Sequence, residues 1–211
     1  MNKFKILSIG ACVALCLAFV SCGDGICDEQ EVDLGLPSGT IWAGWNVGAT
    51  SPEEYGGYYA WGETEEKRDY SAESYKFSYI ESNMYKYENI GTDIAGTQYD
   101  VARQKWGGSW RMPTKEELIE LLKECEWKSF VYKGVKGYKV TGPNGESMFI
   151  PIAGYKKDNL WEKEVGNYWG STLREGSAGF LSWNMSFGFL FTGYGESSPY
   201  MGFSVRPVKS K

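Results

Sequence analysis

The sequence predicts an α+β domain built from short, mixed, mostly antiparallel strands and about two helices. Three observations lead there. Turn residues recur between short aromatic and β-branched runs from residue 39 to the C-terminus. One segment, after Pro113, carries both a capping motif and a helical apolar stripe. No internal repeat or low-complexity linker divides a chain long enough for one core.

At the N-terminus, Lys3 and Lys5 precede an apolar run over 6–20, too short for a bilayer span and suited to a signal-peptide core. The run ends in Phe19-Val20-Ser21-Cys22, which resembles a bacterial lipoprotein signal with Phe19 in place of the usual Leu. Residues 1–21 are then the signal peptide, and Cys22 is acylated and anchors the chain to a membrane without spanning it. A plain secretory signal cut elsewhere is the alternative. Residues 22–31, acidic and glycine-containing, read as a tether, and 32–211 as the domain.

Strands are expected over 39–47 and 56–63, each following a turn and mixing aromatic with small or β-branched residues. Residues 64–95 are polar, Tyr-rich and aperiodic, which reads as a long loop excursion on a rigid scaffold. A short helix is expected over 98–105. The helix after Pro113 begins with Thr114 and Glu117 in capping-box spacing, and Leu118, Leu121, Leu122 and Cys125 form its buried stripe. Before it, WGGSWRMPT reads as a hinge. Gly107 and Gly108 permit a tight turn, Trp106 and Trp110 bury on either side, and Arg111 serves buried carbonyls or a nearby acid. Pro143-Asn144-Gly145 separates two alternating segments, 137–141 and 147–155, as a hairpin turn would. Further strands are expected within 166–172, 178–187, 188–194 and 202–208.

Composition excludes several chemistries. Removal of residues 1–21 takes Lys3 and Lys5 and no acid, leaving 20 basic against 27 acidic residues, a net charge of −7. That balance gives no basic face for a phosphate backbone, so no nucleic-acid partner is expected. The chain has no His, which removes Ser-His-Asp and Cys-His catalysis and the commonest zinc ligand. Glu53, Glu54, Glu63, Glu65 and Glu66 leave carboxylate-based glycoside hydrolysis as an alternative, with Glu63 beside Trp61. No metal-binding motif and no cofactor signature are present. Cys27 and Cys125 can pair in an oxidising compartment, but a buried free Cys125 on the helix stripe is the preferred reading.

Six motifs occur in order: VDLGLPSGTIWAGWNVGA (32–49), GGYYAWGE (56–63), WGGSWRMPT (106–114), FIPIAGY (149–155), NYWGST (167–172) and GFSVRPV (202–208). Together they resemble the Fibrobacter succinogenes major paralogous domain family, frequent in lipoproteins of Bacteroidetes. The resemblance implies a C-type lectin-like fold with adjacent termini, related to that of formylglycine-generating enzymes. Trp45 stands where members often carry Cys, and Gly170 where Ser is usual. The active-site cysteines of the formylglycine-generating relatives have no recognisable counterpart. The Glu-Pro-Asn and Trp-Asn-Asp calcium motifs of sugar-binding lectins are also missing: Trp183-Asn184 is followed by Met185.

Segment 178–201, between NYWGST and GFSVRPV, is similar to the ligand-binding ends of lectin-fold proteins diversified by retroelements. Alternation directs Leu181, Trp183 and Met185 inward and Phe180, Ser182 and Asn184 outward. Phe187, Phe189, Phe191, Tyr194, Ser197, Ser198 and Tyr200 complete the expected ligand-binding face, in a composition that adaptable recognition loops favour. The alternative is that part of these aromatics belongs to the core. The resulting expectation is a non-enzymatic, outer-membrane lipid-anchored module of the cell envelope, displayed at the cell surface and binding a glycan or protein ligand like an adhesin. A subunit or tip protein of a surface fibre is a second reading.

Overall fold

The computed structural model describes residues 25–27, 29–174, 181–188 and 191–211. The expected signal peptide, the acylation site Cys22, and the candidate residues Phe180 and Phe189 lie outside the described residues. In chain order the elements are β1 (Glu31–Asp33), β2 (Thr40–Ala43), β3 (Ser78–Glu81), β4 (Met84–Tyr87), α1 (Val101–Trp106), α2 (Lys115–Glu124), β5 (Glu126–Tyr132), β6 (Val135–Thr141), β7 (Ser147–Pro151), β8 (Tyr155–Lys157), β9 (Leu160–Glu162), β10 (Val165–Leu173), β11 (Ser182–Gly188), β12 (Phe191–Ser197) and β13 (Val208–Ser210). Their pairings are antiparallel. Among the described residues, three sheets, β1–β2–β13, β5–β6–β7 and β10–β11–β12, and two hairpins, β3–β4 and β8–β9, make an α+β arrangement of small sheets with two helices.

The last strand does return to the start of the domain. Val208, Lys209 and Ser210 of β13 lie opposite Trp42, Ile41 and Thr40 of β2. Val208 also exchanges both backbone hydrogen bonds with Arg111 at 2.9 Å, which ties the WGGSWRMPT segment to the same sheet. In that segment Gly107 and Gly108 both adopt positive φ. Trp110 is buried, whereas Trp106 is half-buried and meets Trp110 edge-on at 5.2 Å and Trp45 at 6.5 Å.

Helix α2 starts as its cap predicts. The Thr114 hydroxyl accepts from the Glu117 N–H at 3.3 Å, and Glu117 Oε2 accepts from the Thr114 N–H at 2.8 Å. Glu117 also receives both ends of the Arg111 guanidinium at 2.7 Å and the Thr40 hydroxyl at 3.0 Å. Burial alone would raise this carboxyl; the Arg111 fork and the two further donors instead hold it below the ordinary value. Arg111 is thus the link between hinge, helix and β2. Helix α1 is set by Asp100, its N-cap, whose carboxylate accepts from the N–H groups of Arg103, Gly96 and Met112 at 3.1, 2.7 and 2.9 Å.

Strand β10 carries the core between two clusters. Tyr168 packs with Leu34, Trp42, Leu118, Ile150, Met185 and Phe187, while Trp169 points the other way, among Val47, Tyr59, Met112, Phe203 and Val205. Trp169 stacks on Phe203 with ring centroids 4.1 Å apart. Both faces of this strand are therefore covered, as alternation on a central strand requires.

Several expectations are corrected. Residues 56–63 form no strand; one β-bridge, Tyr59 with Phe203, and backbone hydrogen bonds from Gly57 to Val47 and from Trp61 to Pro199 join the segment to the fold, with its aromatics divided between clusters. The excursion 64–95 contains the hairpin β3–β4, whose turn residues Ser82 and Asn83 both have positive φ. Strand β5, paired along its length with β6, precedes the expected hairpin. In the expected tether, Ile26 is buried with Tyr132 and Phe149, and the Cys27 N–H donates to the Ser147 carbonyl at 2.9 Å. The preferred reading of Cys125 is kept: it is a buried free thiol, pushed up to about 12 by burial, and the Cys27 thiol donates to Glu146 Oε2 at 2.9 Å.

Candidate functional site

The candidate face lies on the sheet β10–β11–β12, which the two clusters fix from below and above. Register decides where each side chain goes. Met185 lies opposite Tyr168 and Asn184 opposite Trp169, so odd positions of β11 face the first cluster and even positions the second. Ser182 and Asn184 are consequently buried, not outward: the side opposite Met185 is not solvent but the second cluster's side of the sheet. The Asn184 amide donates to the Ser197 hydroxyl at 2.9 Å. Phe187 is likewise corrected to a core residue, stacked on Tyr168 at 5.4 Å and edge-on to Tyr138 at 5.7 Å.

Exposure begins one strand further out. On β12, Phe191 is 50 % exposed and Tyr194 52 % exposed. They lie on opposite faces, because Phe191 pairs with Gly188 and Tyr194 with Met185. A Cβ on Gly188 would stand 2.8 Å from the Phe191 ring, so the missing side chain is what seats this ring across the strand. Tyr194 leans on Trp183, ring centroids 5.6 Å apart, and the Lys115 ammonium sits 4.1 Å over the same indole. Trp183 is thereby half-buried at the margin where α2 crosses the sheet, rather than inside it. Arg174 and Glu196 close the far end with an ion pair at 3.1 Å.

Ser197 and Ser198 are half-buried beside this edge, and Tyr200 packs partly against the cluster of Tyr58, Tyr70 and Tyr75. Among the described residues, the outer side of β12 has no strand partner. The structure thus places Tyr194 with the unanticipated Trp183 and Lys115 on one face of the open edge, and Phe191 and Ser197 on the other. Lys115 was not legible as a site residue, since only the packing of α2 on β11 brings it to Trp183.

The five carboxylates considered for glycoside hydrolysis are each held locally. Glu63 Oε1 accepts from Lys67 Nζ and the Lys76 N–H, both at 2.8 Å, and Glu65 pairs with Lys105 at 2.6 Å. Glu66 accepts from the Tyr58 N–H at 2.9 Å, Glu54 from the Thr50 N–H at 2.7 Å, and Glu53 pairs with Lys133 at 3.0 Å. Glu63 and Glu65 line a cleft of about 450 Å³ with Phe77 and Tyr99. Among the described residues, no group of three or more His, Cys, Asp or Glu side chains is placed to hold a metal, and no helix is long and apolar enough to cross a membrane. Comparison with family models, with curated proteins and with solved structures finds no match to this chain.

Proposed function

We propose that the chain is a non-enzymatic binding module of the cell envelope, lipid-anchored at Cys22 in the outer membrane, that engages a glycan or protein ligand along β12. One observation carries this reading: Phe191 and Tyr194 stand half exposed on both sides of an edge strand whose neighbour β11 is locked into the core. Rigid aromatic anchors on a fixed scaffold are what recognition surfaces use, because little side-chain freedom is lost on contact. The six-motif resemblance to the Fibrobacter succinogenes major paralogous domain, and the C-type lectin-like fold it implies, belong to the same proposal. The pairing of β13 with β2 supports that fold, since it brings the two ends of the domain together. The segment around β12 is then the part that a retroelement-diversified member would vary.

The test is a binding screen of the lipid-free chain on a glycan array and on immobilised envelope proteins. Tyr194→Ala and Phe191→Ala should each weaken the strongest signal while leaving the melting temperature within a few degrees. Unchanged binding in both variants sinks the proposal; a collapsed melting transition shows that the rings belong to the core.

The open edge favours a second reading, a surface-fibre subunit that docks a partner's extended strand on β12. A stoichiometric polymer subunit recovered from intact cells with the chain would support it, and recovery of monomer alone would count against it.

A further inference from the structure

A second site stands apart from β12. Tyr55, Val135, Lys136, Ile152, Lys163 and Glu164 line a cleft of about 610 Å³ between the β5–β6 turn and the chain after β9. Beside it Trp161, 42 % exposed, is held by its Nε1–H donating to the Ala153 carbonyl at 3.3 Å. Its ring meets Tyr55 edge-on at 6.1 Å, and the Lys163 ammonium lies 4.2 Å from its centroid. Tyr55 is the aromatic side chain of the cleft lining, with Trp161 packed against it.

Its charge is unbalanced. Neither Lys136 nor Lys163 has a carboxylate partner among the described residues, although the chain as a whole is net −5. The neighbouring Lys133 is neutralised by Glu53 at 3.0 Å. Two unpaired ammoniums against one carboxylate, Glu164, leave a local surplus of one positive charge. Val135 and Ile152 supply apolar floor, and Glu164 an acceptor for hydroxyl groups.

From this combination we infer that the cleft binds an acidic sugar residue, a ring bearing a carboxylate or sulfate. The apolar C–H face of the ring lies against Tyr55, Val135 and Ile152, the anionic group meets Lys136 and Lys163, and ring hydroxyls donate to Glu164. An inorganic anion would use the lysines and leave the apolar lining idle; a neutral sugar would leave the lysines unpaired.

Calorimetric titration of the purified chain with an oligogalacturonate, a sulfated galactan and a neutral galactan tests this. The inference predicts binding to one or both acidic oligosaccharides, weakened by added salt, with the neutral one at least about tenfold weaker. The arm that binds identifies the anionic group as carboxylate or sulfate. Lys136→Gln with Lys163→Gln should reduce affinity about tenfold or more at an unchanged melting temperature. Tyr194→Ala, which reports on β12, should leave this affinity intact. Equal binding of the neutral galactan, failure of both acidic oligosaccharides, full affinity in the lysine variant, or equally strong binding of inorganic sulfate would each overturn it.

Discussion

Replacing Arg206 with Met should cost this protein a substantial part of its stability, although Arg206 touches no candidate binding residue. Arg206 is 1 % exposed. Its Nε donates to Asn46 Oδ1 at 2.8 Å, and its two terminal nitrogens donate to the carbonyls of Ala43 and Phe149, each at 3.1 Å. Ala43 belongs to β2 and Phe149 to β7; the Asn46 amide continues to the Tyr168 hydroxyl of β10 at 3.2 Å. One side chain thus ties three sheets. Burial pulls it down to about 10, so it remains charged at neutral pH. Three hydrogen bonds from a charged donor contribute about 5–9 kcal/mol in gross terms, and relief from burying the cation returns several kcal/mol to the Met variant. The net loss is about 2–4 kcal/mol, or a melting temperature lower by about 5–15 °C in a chain of this size. Urea unfolding followed by Trp fluorescence at pH 7, with calorimetry, measures it. A Met variant as stable as the parent would refute the reasoning, because the cation would then merely be tolerated.

Glu117→Gln should lower stability by about 2 kcal/mol at neutral pH by breaking the Arg111 fork. Because Glu117 is held below its ordinary value of 4.5, its contribution is present above that pH and lost as pH falls through the folded value. The gap between parent and variant in denaturant midpoints should therefore close in acid; a pH-independent gap would contradict the assignment. Asp100→Ala strands three N–H donors at once and should cost about 2–4 kcal/mol in chemical unfolding, against under about 1 kcal/mol for an exposed cap. In alkali, burial raises Tyr58, Tyr59, Tyr70, Tyr75 and Tyr168 above the ordinary value of 10.0. The folded chain keeps protons that the unfolded chain releases, so stability falls as pH rises above about 10. Arg206 opposes this with one group, against these tyrosines, Tyr87 and the Cys125 thiol, which burial also raises. Tyrosinate absorbance should appear together with loss of the far-ultraviolet signal; full tyrosine ionisation in a folded chain would contradict it.

What could be read from the sequence was chemistry that acts locally. Thr114 and Glu117 announce a helix start because cap and partner lie three residues apart, and Pro143-Asn144-Gly145 announces a hairpin because its backbone demands are met in place. The inward direction of Met185 followed from strand alternation. Alternation gives parity, though, and not which side is wet. Ser182, Asn184 and Phe187 were misplaced because segments far away in sequence, carrying Trp42, Tyr138 and Phe203, cover both faces of the sheet. The β3–β4 hairpin escaped notice for a related reason: its turn uses Ser82 and Asn83 at positive φ, where Gly is the usual signal. Lys136 and Lys163 are some thirty residues apart and reveal a common cleft only in three dimensions.

The most direct test of the central proposal is hydrogen–deuterium exchange on the chain with its strongest array ligand, read peptide by peptide. Contact along the open edge predicts slowed exchange in β12, Phe191–Ser197, with lesser protection around Trp183 and Lys115. Protection confined to other parts of the chain, with β12 exchanging as in the free protein, would contradict it.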